Sequence, residues 1–444
     1  MNAIRCRRLF SLASKRPNSV NDPDSLLYSL ESRKVADGYA TPEGTKSFSL
    51  RNRKINQANW RSPFCEQLTL SRLGYGSYIG DPTVEHDKKM VDSLLECVRS
   101  GAVNVIDTAI NYRYMKSERS IGTALQRLFA EGYGREEFFI SSKGGFISKD
   151  GDRSNFSEDN LLKLLDSGAI ADSDIQGNAH CMHPNYLDNQ LELSLFNLQL
   201  STIDLYYIHN PAESQLALIG QEAFESKIKD AFKMLEEKRK ENKIRYYGIA
   251  TWNCFRSPTD ETGIHVSLER MVQLAEEVAG GKGHGFKFIQ LPMNGLMLEA
   301  LGAQWQPIDS ELYEADTLAI ANKHGINPNQ LPPKSKDPKT NVSILRAARM
   351  LGINIMSSSS LMQGSVVKHS LDKKYFDCDH NSARHLLFLR SIPGDTSVIS
   401  NLVGMKSLDH VHSNIEVTTK ADVDPRTFWK FVQEYSQDQK AVTD

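Results

Sequence analysis

The sequence predicts an α/β protein built as a closed (β/α)8 TIM barrel, with two long loop insertions, an N-terminal extension and a C-terminal helix. Three observations predict it. From about Leu68 onward, short apolar runs alternate with helical patterns. The runs are apolar throughout, as strands are in a parallel sheet covered by helices. No Gly-x-Gly-x-x-Gly turn follows an early run, so eight units suit a closed barrel better than an open doubly wound sheet.

In order, the strands are expected at 68–73 (LTLSRL), 103–106 (VNVI), 138–141 (FFIS), 203–208 (IDLYYI), 244–250 (IRYYGIA), 286–291 (FKFIQL), 353–358 (INIMSS) and 396–400 (TSVIS). Between the first two, Met90, Val91, Leu94, Leu95 and Val98 share one helical face, which Gly101 closes. Ile121, Ala124, Leu125 and Leu128 recur at helical spacing, as do Leu187, Leu191, Leu195 and Leu198, and Ile228, Ala231, Phe232 and Leu235. Asp424 and Pro425 suit the N-cap and first turn of a last helix with Phe428, Phe431, Val432 and Tyr435 on one side. Residues 144–185 and 295–340 are longer than ordinary connections. Each follows a strand, so both are expected over the C-terminal mouth of the barrel as candidate substrate walls. For the second, rich in Pro, Lys and Asp, a disordered surface insertion is the alternative.

Composition narrows the function classes. Of 444 residues, 40% are hydrophobic and 24% charged, and the formal net charge of -2 gives no general attraction to nucleic acid or acidic lipid. Six scattered cysteines without a C-x-x-C pair suggest reduced thiols. No apolar run reaches the roughly 18 residues of a spanning helix. Residues 1–20 carry Arg5, Arg7, Arg8, Lys15 and Arg16 and no acid, the composition of a transit peptide. It is read as mitochondrial, with plastid or cytoplasm as alternatives. Residues 21–65 read as a polar extension and 66–444 as the folded domain.

In a barrel, side chains at successive strand ends converge on one face. Asp107 ends the second strand, Lys143 follows the third, His209 ends the fourth, and Tyr112 lies on the turn beyond Asp107. Such a set suits a proton transfer coupled to hydride transfer. Tyr112 would be the general acid, its phenol made more acidic by the Lys143 ammonium. Asp107 would hold the lysine, and His209 would donate to the substrate carbonyl. His180, Cys181 and His183, with Cys378, Asp379 and His380, are metal-ligand types without zinc-finger spacing, and no metal is expected.

The stretch IDTAINYRYMKSERSIG resembles the DTA-x-x-Y…E-x-x-x-G block of the aldo-keto reductase superfamily, with Asp107, Tyr112, Glu118 and Gly122 in step. SLFNLQLSTIDLYYIHNP is similar to its S-L-x-x-L…D-L-Y-x-x-H block, with Ser194, Leu195, Leu198, Asp204, Leu205, Tyr206 and His209 in step. The resemblance implies the tetrad Asp107, Tyr112, Lys143 and His209, and a nicotinamide dinucleotide bound without a Rossmann fold. By it, Gln290 meets the carboxamide, with Thr251 where the family has Asn and Ala250 where it has Ser. Ser358 stands where an aromatic side chain stacks, and Leu361, Gln363 and Gly364 match a phosphate-cradling turn. GMKSLDHVHSN is similar to the last block, bringing Gly404, Lys406, Ser407, His410 and Asn414 to the cofactor; Lys406 would meet a 2'-phosphate, favouring NADP(H) over NAD(H).

The leading expectation is an NADP(H)-dependent oxidoreductase interconverting a small carbonyl and an alcohol: an aldehyde, a ketone or a sugar. The competing one is a cofactor-binding regulatory protein on the same fold. The altered segments GIATW and SSSS and the two insertions motivate it.

Overall fold

In the computed structural model the described residues are 34–177, 179–259, 263–327, 330–331, 336–394 and 397–443, with side chains described up to Glu434. The expected transit segment, 1–20, lies outside them. Eight parallel strands close into a barrel, each bonded to its predecessor in the chain and the eighth to the first. They are β1 (Leu73–Gly76), β2 (Val105–Asp107), β3 (Phe139–Gly144), β4 (Ile203–His209), β5 (Ile244–Ala250), β6 (Phe286–Pro292), β7 (Asn354–Ser358) and β8 (Val398–Gly404). The helices that follow them are α1 (Val84–Arg99), α2 (Lys116–Ala130), α3 (Pro184–Leu198), α4 (Gln221–Lys240), α5 (Leu268–Ala279), α6 (Ile344–Met350), α7 (Asn381–Arg390) and α8 (Leu408–Ile415). The last helix, α9 (Pro425–Thr443), starts where expected, with Asp424 Oδ1 accepting from the backbone N–H groups of Arg426 and Thr427.

Alternation along the strands makes two cores. Inward residues, among them Val105, Phe139, Leu205, Tyr207, Phe288 and Met356, fill the barrel, with the Phe139 and Phe288 rings 5.5 Å apart. Outward residues meet the apolar faces of the helices, which include the periodic positions 90–98, 121–128, 187–198 and 228–235. The register places Gly76 beside Asp107, Asp107 beside Ser141, His209 beside Ala250, and Ala250 beside Gln290. One rim of the barrel therefore collects every strand-end candidate.

Two expectations change at the opposite, N-terminal end. The run 68–73 is divided: Leu70–Ser71 pairs antiparallel with Trp60–Arg61, and β1 starts only at Leu73. Leu68 and Leu70 join Ala40 in the barrel interior, so this hairpin floors the barrel. Within the expected polar extension, the described residues from 34 onward are packed as well. A helix, Pro42–Ser49, is capped by the Thr41 hydroxyl and buries Phe48 completely against Trp60, Tyr133 and Phe138. Burying such a ring is worth about 1.5–3 kcal/mol. The apolar anchors here, Ala40, Phe48 and Ile55, are too widely spaced to show a period, which is why the composition reads only as a polar extension.

The insertions differ as well. Residues 144–185 contain a helix, Phe156–Asp166, and a small core of Leu161, Ile170, Ile175 and Cys181, which packs with Tyr186 of α3. The second insertion carries a strand, Gln306–Asp309, and a helix, Ser310–His324, and the strand pairs antiparallel with Lys339–Val342, which begins at the insertion's end and runs past it. Asp316 of that helix pairs with Arg346 and Arg349 on α6, and Lys339 pairs with Glu269 on α5. This second insertion thus packs on the flank of the barrel. Among the described residues no helix is long and apolar enough to cross a membrane.

Candidate active site

The centre is built on Asp107. Lys143 Nζ donates to its Oδ2 at 2.6 Å, while Ser141 Oγ and Gln290 Nε2 donate to its Oδ1 at 2.7 and 2.9 Å. Lys143 gives a second hydrogen bond to the Thr108 carbonyl at 2.7 Å and is completely buried. Burial draws its ammonium below the ordinary lysine value, and Asp107 offsets part of that.

Tyr112 stands over this pair, its ring centroid 4.9 Å from Lys143 Nζ and 5.8 Å from the His209 ring. The structure corrects the expectation that Lys143 makes this phenol more acidic. Burial, then the Asp107 charge and Tyr78, hold Tyr112 well above the ordinary tyrosine value. Lys143 Nζ lies over the ring, and two of its three N–H donors are taken by Asp107 and Thr108. Tyr112 is therefore a phenol that keeps its proton.

His209 is shifted the other way. Burial first, then the Lys143 charge and His180, push its imidazole well below the ordinary histidine value, so the ring is neutral. Its Nδ1 is buried without a hydrogen-bond partner. The His209 carbonyl accepts from His180 Nε2 at 2.8 Å, and Gln215 Nε2 donates to His180 Nδ1 at 2.9 Å, so His180 is held as the Nε2–H tautomer. Gly145 lies against that ring: a Cβ there would stand 2.5 Å from His180 Nε2. His180 thus braces the His209 backbone, and among the described residues no three His, Cys, Asp or Glu side chains gather to hold a metal ion.

Directly after Tyr112 the backbone takes three consecutive left-handed residues, Arg113, Tyr114 and Met115, with φ of 49°, 57° and 69°. Each such residue costs on the order of 1–2 kcal/mol. The turn is held by charge. Arg113 bonds Asp87 at 2.6 Å, Lys116 bridges Asp87 and Asp152, and Arg119 reaches Asp150 at 2.7 Å and Asp152 at 2.5 Å. Asp150 and Asp152 belong to the first insertion. Its part in the site is thus to clamp the turn carrying Tyr112, and among its described residues Phe146 is the one on the cleft wall.

A cleft of about 990 Å3 runs from the tetrad across the barrel mouth. It is lined by Asp107, Tyr112 and His209 at one end and by Gly404, Lys406, His410 and Asn414 at the other, with Gln290, Thr251, Ser358, Leu361, Gln363 and Gly364 between. Lys143 lies beneath it. None of the described residues of 295–340 lines it, so they form no part of a substrate wall. The turn after β7 has positive φ at Ser359, Met362 and Gln363, which bends it around the cleft. Asn414 Oδ1 is buried and unpartnered, and Lys406 is exposed with no ion pair among the described residues.

Two expected cofactor contacts are engaged elsewhere. Gln290 Nε2 is bonded to Asp107, and the Thr251 hydroxyl donates to Glu213 Oε1 at 2.5 Å. Glu213 Oε1 also accepts from the backbone N–H groups of Trp252, Asn253 and Cys254, at 3.0, 2.6 and 3.1 Å. One carboxylate, four residues past His209, ties the loop after β5. Nothing local in the sequence marks it, because its partners come about 40 positions later.

Residues 72–257 match the model of the aldo/keto reductase family. A curated relative, the NADH-specific methylglyoxal reductase of Escherichia coli (strain K12), is 28% identical over 189 residues, covering 41% of this chain and 49% of its own. The match thus spans about half the length of that relative. Among solved structures, a thermostable aldo-keto reductase crystallised with the inhibitor epalrestat aligns with a TM-score of 0.51 at 15% identity, over 84% of this chain and 98% of its own. An aldo/keto reductase from Klebsiella pneumoniae in complex with NADP and acetate gives 0.47 at 15% identity, over 83% and 93%. At such identity the first of these speaks for the barrel fold.

Proposed function

Residues 72–257 place the chain in the aldo-keto reductase superfamily, and from that premise we propose that it transfers a hydride between a nicotinamide dinucleotide and a small carbonyl or alcohol substrate. The observation that carries the reading is the convergence of Tyr112, His209 and the Lys143–Asp107 pair at one end of a cleft whose other end presents Lys406. The cleft fits an elongated dinucleotide: an orphaned buried acceptor, Asn414 Oδ1, and a turn bent by left-handed residues lie along it. Bound there, the nicotinamide supplies or takes the hydride.

The chain's own groups handle the proton. Tyr112 retains its proton at neutral pH and delivers it to the substrate oxygen as negative charge develops there. Neutral His209 donates an N–H to the same oxygen. The Lys143–Asp107 pair fixes the electrostatics beneath the phenol without exposing an unpaired charge.

NADP(H) is the proposed cofactor, on the exposed Lys406 ammonium beside the Ser407-capped start of α8. The NADH specificity in the name of the E. coli relative makes this the point to test. Lys406→Ala is expected to weaken NADPH binding about tenfold, the equivalent of about 1.4 kcal/mol, and to leave NADH binding unchanged. Equal effects on both cofactors, read by fluorescence titration, would remove the 2'-phosphate assignment.

The engaged Thr251 and Gln290, and the missing ring at Ser358, favour a second reading in which the protein binds cofactor as a regulatory subunit and turns over poorly. Titration with NADPH followed by absorbance assays over small aldehydes, methylglyoxal among them, separates the two. Binding without turnover on any carbonyl, unchanged in Tyr112→Phe, would leave only the regulatory reading. Absence of binding would defeat both.

A further inference from the structure

Away from the main cleft, a second cavity of about 60 Å3 lies between α7, α9 and the first residues of the second insertion. Its walls are Leu298, Val366, Leu371, Phe388 and Phe431, with half-exposed Leu296 at the mouth. A single water needs about 10–15 Å3 of such room, so the space is several times larger than one solvent molecule requires.

Two histidines, His369 and His385, interrupt the apolar lining. His385, 4% exposed, directs Nε2 at the His369 carbonyl at 2.8 Å. A carbonyl can only accept, so Nε2 carries the proton and Nδ1 is left as an acceptor. Nδ1 is buried and has no hydrogen-bond partner. It points toward Gly295 in the cavity wall: a Cβ built there would stand 3.6 Å from it. An unmet buried acceptor costs about 1–3 kcal/mol, and an apolar chamber offers nothing to satisfy it. Burial also lowers the His385 pKa, which keeps this acceptor available at neutral pH.

We propose that this chamber is a binding site for a small apolar molecule bearing one hydroxyl group, a phenol or compact alcohol, whose O–H donates to His385 Nδ1 while its hydrocarbon fills the space among Leu298, Val366, Leu371, Phe388 and Phe431. The site is separate from the tetrad but shares a segment with the main cleft. Val366 and His369 line the chamber, and Val367 between them lines the cleft, just past Gln363 and Gly364. Occupancy is thereby positioned to bear on the turn that borders the proposed cofactor.

Calorimetric titration with phenol, and with toluene as the same shape without the hydroxyl, tests this on the full chain. Phenol is expected to bind saturably and at least tenfold more tightly than toluene. Gly295→Ser is the decisive variant: it adds only ordinary van der Waals contact and brings an internal hydroxyl within reach of Nδ1. It is expected to lower phenol affinity at least tenfold while thermal unfolding stays unchanged. Crystals soaked in 4-bromophenol should place the bromine between α7 and α9. Equal affinity for phenol and toluene, unchanged binding in Gly295→Ser, no binding at all, or bromine only in the main cleft would each overturn the proposal. None of these outcomes depends on whether the tetrad turns over a carbonyl.

Discussion

Tyr112→Phe is expected to lower the rate of carbonyl reduction by about 10²–10⁴-fold, with cofactor affinity little changed. The substitution removes only the hydroxyl, and the ring keeps its contacts with Lys143 and His209. Steady-state kinetics with a cofactor titration separate the two quantities: a fall in affinity matching the fall in rate would mean that the ring, not its proton, was the contributor. The pH dependence follows from the shifts. Tyr112 is held well above the usual phenol value of 10.0 and His209 well below the usual imidazole value of 6.5. Both groups stay in the form that reduction needs throughout that interval, so kcat for reduction should be flat across it. Alcohol oxidation needs the phenolate instead and should rise with pH over the same range. A reduction profile with an inflection between those two values would contradict the assigned protonation states.

Arg119→Met is expected to cost about 3–5 kcal/mol of stability, the largest of any single substitution discussed. Arg119, Asp150 and Asp152 side chains are all buried, and removing the guanidinium leaves Asp150 with only Arg153 and Asp152 with only Lys116 as ionic partners. Urea denaturation of the variant against the natural chain checks it, and a shift in midpoint corresponding to less than about 1 kcal/mol would place the pair among weakly coupled surface contacts. The sign with pH is also set. Burial alone would raise the Asp150 and Asp152 carboxyls, but their bonds and proximity to Arg119, with Lys116 helping at Asp152, leave both below the ordinary aspartate value. A lowered pKa stabilises the fold above the unfolded-state value, about 3.9, and that contribution is lost as pH falls through the folded value. Acid should therefore loosen the first insertion and the Tyr112 turn together.

The barrel was legible because its signals are local. Each strand is a short apolar run and each helix a period of three to four, so VNVI, FFIS and IDLYYI could be placed without knowing what they touch. The convergence of Asp107, Tyr112, Lys143 and His209 was legible for the same reason plus one geometric rule: ends of parallel strands meet. What stayed hidden depends on contacts distant in the chain. Phe48 shows its role only against Phe138, and Glu213 only against the loop after β5. Arg113–Met115 look like ordinary polar and apolar residues, and only the backbone reveals their left-handed turn. Electrostatics misled in one place. The Tyr112–Lys143 proximity was correctly anticipated, but the direction of the phenol's shift is set by its burial and the Asp107 charge, and strand order does not specify how deeply a side chain is buried.

The contrast between the two ends of the cleft has a consequence for ionic strength. Lys143 and Asp107 are shielded from solvent, so dissolved salt hardly reaches their attraction, whereas exposed Lys406 acts through water where about 0.1 M salt screens charge within about 10 Å. Added salt should thus loosen the hold on a phosphorylated ligand while leaving the buried Lys143–Asp107 pair as it was. In a compartment of changing ion content, such a protein would vary how much ligand it carries rather than how fast each loaded molecule works.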